Sequence, residues 1–591
     1  MRTRFIHDSF QLDVSDLEIA WTEENTWFKD EFFLISSFPF EIDYDFIPFF
    51  SKFRHDNLTT TETYFQGKIE KDGKLEDAIL EIEEAETRLR LTIRYGAEAL
   101  PNWEKLLSDL ELDVVLPNGG SMIAHAATVL DKTWPEVNYN FPAIHTRFYD
   151  GAVLFEHFEG TINKRKNNQF IFNSGLESTV ENHNIVYPFP YHMYVLEKVI
   201  EDAGFTLHGD ILNDQSLKES IIYSGKKIIE FENFPKPIDW SIGIGDKTSD
   251  SGWPMHYQTW HSELEVNYRG GFRLTGTIND ETVKITLKLN GVIIWTFDNG
   301  DSLSMLLSFS TVSAVNTLTV DIISVGITNP ASTAADFNLT TFQLYDEFGD
   351  PIPFVANFID VQLADKLPDM TVGDFIKFHK RIKNYDFDIR NGNEIWMNLI
   401  QNEVVNSEIV DISEFQPPGK IRKYEQAKSF LLQYEGEYED FEFNKIYADR
   451  DGFSVNEFTK SENTEEITIN GIPLPLSTQD GITTAIQLSD DSSKLMLVKY
   501  TGLQNGENWA LDYPELDTLI LFNEYWQRWL NFVIHAVKFH WTIKAHPNEL
   551  MKIKRKSKLF SFNRLMFVFS LNRSRSKTVE EVEIEAYSTQ V

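Results

Sequence analysis

Val537-Lys538-Phe539-His540-Trp541-Thr542-Ile543-Lys544 alternates strictly, with Val537, Phe539, Trp541 and Ile543 on one side and Lys538, His540, Thr542 and Lys544 on the other. Successive side chains of a strand point to opposite faces, so this period of two describes a half-buried β-strand. The end of the chain repeats it, with Val582, Ile584 and Ala586 against Glu581, Glu583 and Glu585. These strands are expected to close a small C-terminal barrel. Just upstream the period changes: over 516–533, Leu519, Phe522, Trp526, Leu530 and Val533 share one face and Asp517, Glu524, Gln527 and Asn531 the other, which predicts an amphipathic helix.

The same logic extends toward the N-terminus. Residues 1–97 carry short alternating segments, Phe32-Phe33-Leu34-Ile35 and Tyr64 to Ile69, with Asp72-Gly73 as a hairpin turn. The stretch 75–95 suits a helix by its Glu, Arg and Leu content, yet Ala78, Leu80 and Ile82 and then Leu89, Leu91, Ile93 and Tyr95 alternate, so a hairpin is expected, with Glu81 and Glu83 near Arg88 and Arg90. Pro190 opens a helical pattern of Val195, Leu196, Val199, Ile200 and Ala203 that ends at Gly204, followed by a strand-like Phe205-Thr206-Leu207. A similar unit returns at 368–397: Thr371 and Asp374 stand at capping spacing, Val372, Phe375, Ile376, His379 and Ile382 keep helical period, and two strands flank Asn391-Gly392. Between these units, 235–350 reads as short strands at regular spacing, with Asn290-Gly291 as a hairpin signal, and predicts a β-sandwich or jelly roll.

Composition bounds the function. The chain has 591 residues, no cysteine, 54 Lys+Arg against 91 Asp+Glu, and 46 Phe, 21 Tyr and 13 Trp. Absence of cysteine excludes disulfides, Cys-ligated zinc, iron–sulfur clusters and a thiol nucleophile, and leaves the redox compartment open. The aromatic content excludes a disordered acidic chain. A net charge of −37 repels nucleic acid and anionic lipid overall. No N-terminal signal segment and no membrane span is legible, so a soluble chain made in a cytoplasm is expected.

Catalytic patterns are missing. There is no G-x-S-x-G elbow, no phosphate loop, no H-E-x-x-H pair and no complete G-x-G-x-x-G, since Gly243-Ile244-Gly245 lacks its third glycine. Carboxylates are too abundant for a glycosidase pair to be picked out by sequence. His256 and His261, near Glu263 and Glu265, read as a strand edge rather than a metal site, so no catalytic, cofactor or metal residue is assigned. Trp253 and Trp260 are candidates for glycan stacking, and equally suit a core.

One charge feature stands apart. Lys552, Lys554, Arg555, Lys556, Lys558, Arg564, Arg573, Arg575 and Lys577 are nine cations with no intervening acid, and taking them from −37 leaves about −46 for the rest. Lys552, Lys554, Arg555, Lys556 and Lys558 are therefore candidates for docking a neighbouring subunit, with DNA phosphates and a plain solvated rim as the alternatives.

Val186-Tyr187-Pro188-Phe189-Pro190-Tyr191 leading into a helix, Gly204-Phe205, and Leu367-Pro368-Asp369-Met370-Thr371-Val372-Gly373-Asp374-Phe375 resemble the tail-hub (tail-tip or baseplate-hub) proteins of phages and prophages that infect Bacteroidetes. The run from Val537 through Leu550, the segments 558–571 and 579–587, and an aromatic-acidic strand from Tyr434 to Phe443 are similar to the closing barrel of such hubs. The resemblance covers about two thirds of the chain.

It implies a mainly β protein with α+β parts: a first barrel at 1–97, an α+β domain in two pieces at 98–234 and 351–400, an inserted sandwich at 235–350, and a second barrel at 401–591. It also implies a homo-oligomer, usually a trimer, that contacts a distal tail or tube protein, the tape-measure protein and tip or fibre proteins. DNA passes through it transiently, and no membrane insertion and no cofactor are implied. The chain stops at Val591 just after the barrel, so no spike, lytic domain or enzyme activity is expected, and the expected location is the virion tail tip, assembled in the host cytoplasm. The alternative from another class is a secreted or surface carbohydrate-binding protein that uses the 235–350 sandwich.

Overall fold

The Val537–Ala545 strand pairs antiparallel with Glu580–Ser588, Trp541 opposite Ile584 and Ile543 opposite Val582, and these four side chains are buried as the alternation requires. The computed structural model describes residues 3–588 apart from 18, 30–35, 55–62, 72–73, 86, 96–99, 118–120, 150–154, 156, 177–178, 229–235, 238–240, 249–253, 267–269, 278–282, 290, 299–301, 310–315, 327–340, 346–359, 391–392, 425–427, 439–440 and 576–577. Phe32 to Ile35 and the turns at Asp72-Gly73 and Asn391-Gly392 lie outside the described residues, but the strands flanking both turns do pair antiparallel. The protein is mainly β, built from several sheets with few helices.

The N-terminal sheet has six strands in the order Phe10–Asp13, Thr3–His7, Tyr64–Lys71, Lys74–Ala85, Leu89–Tyr95, Ser36–Ile42. The hairpin reading of 75–95 holds because burial of Leu80, Leu89, Leu91 and Ile93 on one face outweighs the helix propensity of the Glu and Arg residues. Of the expected charge pairs, Glu83 does meet Arg90 at 3.3 Å, but Glu81 meets Arg94 at 2.9 Å and Arg88 reaches Asp43 instead. Gly67 is required where strands crowd, since a Cβ there would stand 2.4 Å from the Ile6 carbonyl oxygen.

One strand leaves this region. Ile19–Glu24 pairs antiparallel with Arg564–Arg575, from Ile19 opposite Arg575 to Glu24 opposite Ser570, although Trp21 packs in the N-terminal core. The C-terminal sheet otherwise runs Ile409–Asp411, Lys558–Ser561, Arg564–Arg575, Glu580–Ser588, Val537–Ala545, Ile421–Lys423. Closure is where it departs from expectation. Among the described residues no ladder joins its two short edge strands, so it is a half-barrel rather than a closed barrel.

The centre is built from the two helix-then-strand units. Helix His192–Asp202 leads to strand Thr206–His208, and helix Val372–Lys383 leads to Tyr385–Arg390 and Glu394–Leu399, with Thr206–His208 lying parallel against Glu394–Leu399. Thr371 caps the second helix through its side-chain oxygen, which accepts from the Asp374 amide at 3.1 Å, and Asn384 ends it in the left-handed region at φ 57°.

Residues 401–591 do not form one unit. The strands and helix between 429 and 534 bury Leu432, Leu497, Phe522 and Leu530 in the same core as Val195, Phe375 and Ile376, and Ser220–Ser224 pairs with Leu495–Lys499. That core gathers apolar residues from both sides of the 235–350 insertion, so distant segments complete one another's hydrophobic faces. The expected strand at Tyr434 to Phe443 ends at Tyr434, because Gly436 adopts φ 96° and turns the chain into a loop bridged between Tyr438 and Phe441. The expected helix runs from Thr518 to His535 with a π-helical turn at Phe522–Trp526, whose extra residue brings Leu521, Trp529 and Ile534 into the core beside the predicted face.

Loop-rich 139–190 is held by asparagines. Asn163 Nδ2 donates to the carbonyls of Pro142 and Tyr187 while its Oδ1 accepts from the Tyr187 amide, and Asn508 Nδ2 donates to Phe141 and Asn163. Both side chains are fully buried, so they replace the partners that backbone groups lose in irregular structure.

The insertion is a two-sheet sandwich. One sheet has the order Ser241–Thr248, Pro254–Val266, Asn316–Gly326, Val283–Leu289, Val292–Asp298, and the other Lys236–Pro237, Thr341–Tyr345, Gly270–Thr277, Ser302–Phe309. Leaving aside the added edge Ser241–Thr248, this is jelly-roll order.

Candidate docking surface

The cationic segment hangs from the end of the Val537–Ala545 strand. His546 caps a short helix, Pro547–Leu550, and Leu550 and Ile553 are buried under the sheet, which fixes which neighbouring side chains turn outward. Lys552 and Lys554 are exposed. The other three candidates are engaged inside the molecule. Lys556 Nζ lies 2.5 Å from Asp386 and 3.6 Å from Asp388, Arg555 reaches Asp388 at 3.4 Å, and Lys558 Nζ donates to the Val405 carbonyl at 3.0 Å.

Electrostatics agree with that placement. Burial alone would push the Lys556 ammonium toward neutrality, but Asp386 and Asp388 outweigh it and its pKa is raised. Burial likewise works against the charge on Asp388, yet Lys556, Arg555 and Arg390 bring its carboxyl below the usual range. Asp386 also accepts from the Thr26 hydroxyl at 2.8 Å, and Lys380 Nζ donates to the Thr26 carbonyl. The segment is therefore an internal clasp between the half-barrel, the central unit and the N-terminal segment.

Further along, Arg573 and Arg575 converge on fully buried Glu580 at 2.5 and 2.6 Å, and Glu23 lies 3.6 Å from Arg573. Lys577 lies outside the described residues. Of the five residues expected to dock a neighbour, the structure leaves Lys552 and Lys554 on the surface and commits Arg555, Lys556 and Lys558 to partners. Sequence reading missed Asp386 and Asp388 because they lie far away in the chain, whereas Glu580, five residues beyond Arg575, was within reach of a cross-strand argument.

Trp253 lies outside the described residues, and Trp260 sits in the Pro254–Val266 strand opposite Ile242 and Ile322. His261, in the same strand, is exposed. Among the described residues no group of three or more His, Asp or Glu side chains is placed to hold a metal ion. A trough of about 410 Å³ runs between Pro39 of the N-terminal sheet and Thr22, Thr542, Asn572, Glu581 and Glu583 of the half-barrel.

Two buried polar groups join the helical units. His192 Nε2 and His379 Nε2 are 2.8 Å apart, so one neutral imidazole donates to the other, and burial holds both pKa values down, that of His379 to about 4. Nearby, Lys383 Nζ donates to both carboxylate oxygens of Asp214 at 2.8 Å and to Ser216, and Tyr385 donates to Asp214. These contacts hold the helical units together.

No protein-family model and no curated protein matches the chain. Among solved structures, the 43 kDa tail protein of prophage MuSo2 from Shewanella oneidensis aligns over 62% of this chain and 97% of that one, at 8% identity and a TM-score of 0.19. The exo-β-1,3-galactanase of Phanerochaete chrysosporium aligns over 16% of this chain and 28% of that one, at 17% identity and a TM-score of 0.11. The GH31 α-xylosidase of Xanthomonas citri aligns over 47% and 27%, at 8% identity and a TM-score of 0.10. The chain thus spans little more than a quarter of either glycosidase. Overlays this loose leave fold and function to be argued from the chain's own residues. Among the described residues no helix is long and apolar enough to cross a membrane.

Proposed function

We propose that the chain is a structural subunit of a phage tail tip, assembling with copies of itself as a trimeric ring-like hub. The ring connects the tail tube or distal ring to the tip and leaves a channel for the tape-measure protein and then for DNA. Tip or fibre proteins attach to it, and it performs no reaction of its own. The observation that carries this reading is the link between the N-terminal segment and the C-terminal half-barrel through strand Ile19–Glu24, which ladders with Arg564–Arg575 while its Trp21 packs in the N-terminal core. It ties segments at opposite ends of the sequence to one another, as a load-transmitting ring subunit would need. The acidic balance supports the channel, because repulsion of phosphate removes the counterion-release gain that makes nucleic-acid binding tight.

The test is native mass spectrometry of the purified chain, alone and with its tube and tip neighbours, followed by negative-stain imaging. A closed ring with an axial opening is expected. A chain that stays monomeric alone and with those neighbours overturns the reading.

A second reading, glycan binding by the 235–350 sandwich, is favoured by its jelly-roll order, an architecture that lectin domains also use. Glycan-array binding by the full chain that is lost in Trp260→Ala would support it, and binding to no glycan would remove it.

A further inference from the structure

Among the described residues the half-barrel has two open edges, and they differ in charge. Ile409–Asp411 is one edge, and with its flanks it carries Glu408, Asp411 and Glu414 and no cation over 408–414. Ile421–Lys423 is the other, with Lys420, Arg422 and Lys423 and no acid over 420–423. Both present apolar side chains to solvent: Ile409 is 55% exposed, Ile421 62% and Tyr424 84%. An exposed sheet edge offers unpaired backbone donors and acceptors, which is a template for another strand.

The ladders also fix direction. Ile409–Asp411 runs parallel to Lys558–Ser561, and every later step across the sheet, through Arg564–Arg575, Glu580–Ser588 and Val537–Ala545 to Ile421–Lys423, is antiparallel. Four reversals return the starting direction, so the two edge strands point the same way. A rotation axis running along the strands preserves that direction from copy to copy. The basic edge of one copy then meets the acidic edge of the next as a parallel pair, a head-to-tail contact that can close into a ring. Lys423 is held by Glu585 of its own sheet, so Lys420 and Arg422 opposite glutamate and aspartate favour this register and oppose the pairing of like edges.

We infer that the occupant of the Ile421–Lys423 edge is the Ile409–Asp411 edge of a second copy of this chain. The inference rests on the ring reading above and names the surface that closes the ring. The short edges add few backbone hydrogen bonds, so the side chains contribute the selectivity and the partner must be held by the rest of the ring.

The cysteine-free chain makes the test direct. Ile409→Cys and Ile421→Cys, each alone and together, are oxidised with a mild copper catalyst and run on a non-reducing gel, with native mass spectrometry of the same samples. The double variant is expected to give a covalent ladder ending at the ring copy number, and an equal mixture of the two single variants a dimer. Arg422→Glu is expected to weaken assembly about tenfold, and Glu408→Arg in the same chain to restore it. A fast-migrating internally crosslinked monomer shows that the edges meet within one chain and overturns the inference. Rings that persist in native spectra without crosslinks overturn the edge assignment while leaving the ring reading intact. Monomer in every spectrum, neighbours included, overturns both.

Discussion

The N-terminal sheet and the C-terminal half-barrel are both antiparallel in the main and both carry cross-strand charge pairs, but they use them differently. In the first, Glu83–Arg90 and Arg88–Asp43 sit at the surface with side chains 31–69% exposed. In the second, Arg573, Arg575 and Glu580 are nearly or wholly buried, and Lys556 meets Asp386 where that carboxylate is 1% exposed. Water screens the first kind of pair to a few tenths of a kcal/mol, whereas breaking the second leaves a desolvated charge without compensation. The lesson is that opposite charges in a sequence do not reveal their importance; depth does.

That contrast can be broken from either end. Glu580→Ala removes the buried carboxylate on which both guanidinium groups converge and is expected to cost about 3–5 kcal/mol in urea unfolding; a loss below about 1 kcal/mol would show that water or Glu23 takes its place. Acid should attack the centre next. The folded His192 and His379 bind protons less readily than the unfolded chain, so their contribution is complete above the unfolded pKa near 6.5 and falls as pH drops toward about 4, where that of His379 levels off. The expected decline for His379 is of order 3 kcal/mol across that window, read as a falling denaturation midpoint, and His379→Gln should flatten it. Asn163→Ala leaves three backbone groups without their partner and is expected to cost about 2 kcal/mol, again in denaturant unfolding. Arg90→Ala on the exposed pair is expected to change stability by at most about 0.5 kcal/mol, and that small change should shrink further in high salt.

Much of the fold was legible where structure is set locally. The alternations at 64–95, 537–545 and 580–588, the capped helix after Thr371 and the strand rhythm of 235–350 all depend on neighbours a few residues away. The C-terminal grouping was not legible, because Leu432, Leu497 and Leu530 look the same whether they face the half-barrel or the central helices. The docking set was half legible: a run of cations is visible in sequence, but Arg555 and Asp388 are 167 residues apart, and nothing in either segment announces the other. The open edges at 409–411 and 421–423 gave no periodic signal at all, being only three residues long.

The strand Ile19–Glu24 imposes a timetable. Thr22 and Asn572, which share a hydrogen bond, are 550 residues apart. At roughly 5–20 residues per second, the ribosome delivers the partner strand about half a minute to two minutes after the first. During that interval the N-terminal sheet can form from its own hairpins, but its outgoing strand has nothing to join. Only a chain translated past residue 575 can complete the joint, so the ladder between the two ends of the sequence forms late and all at once.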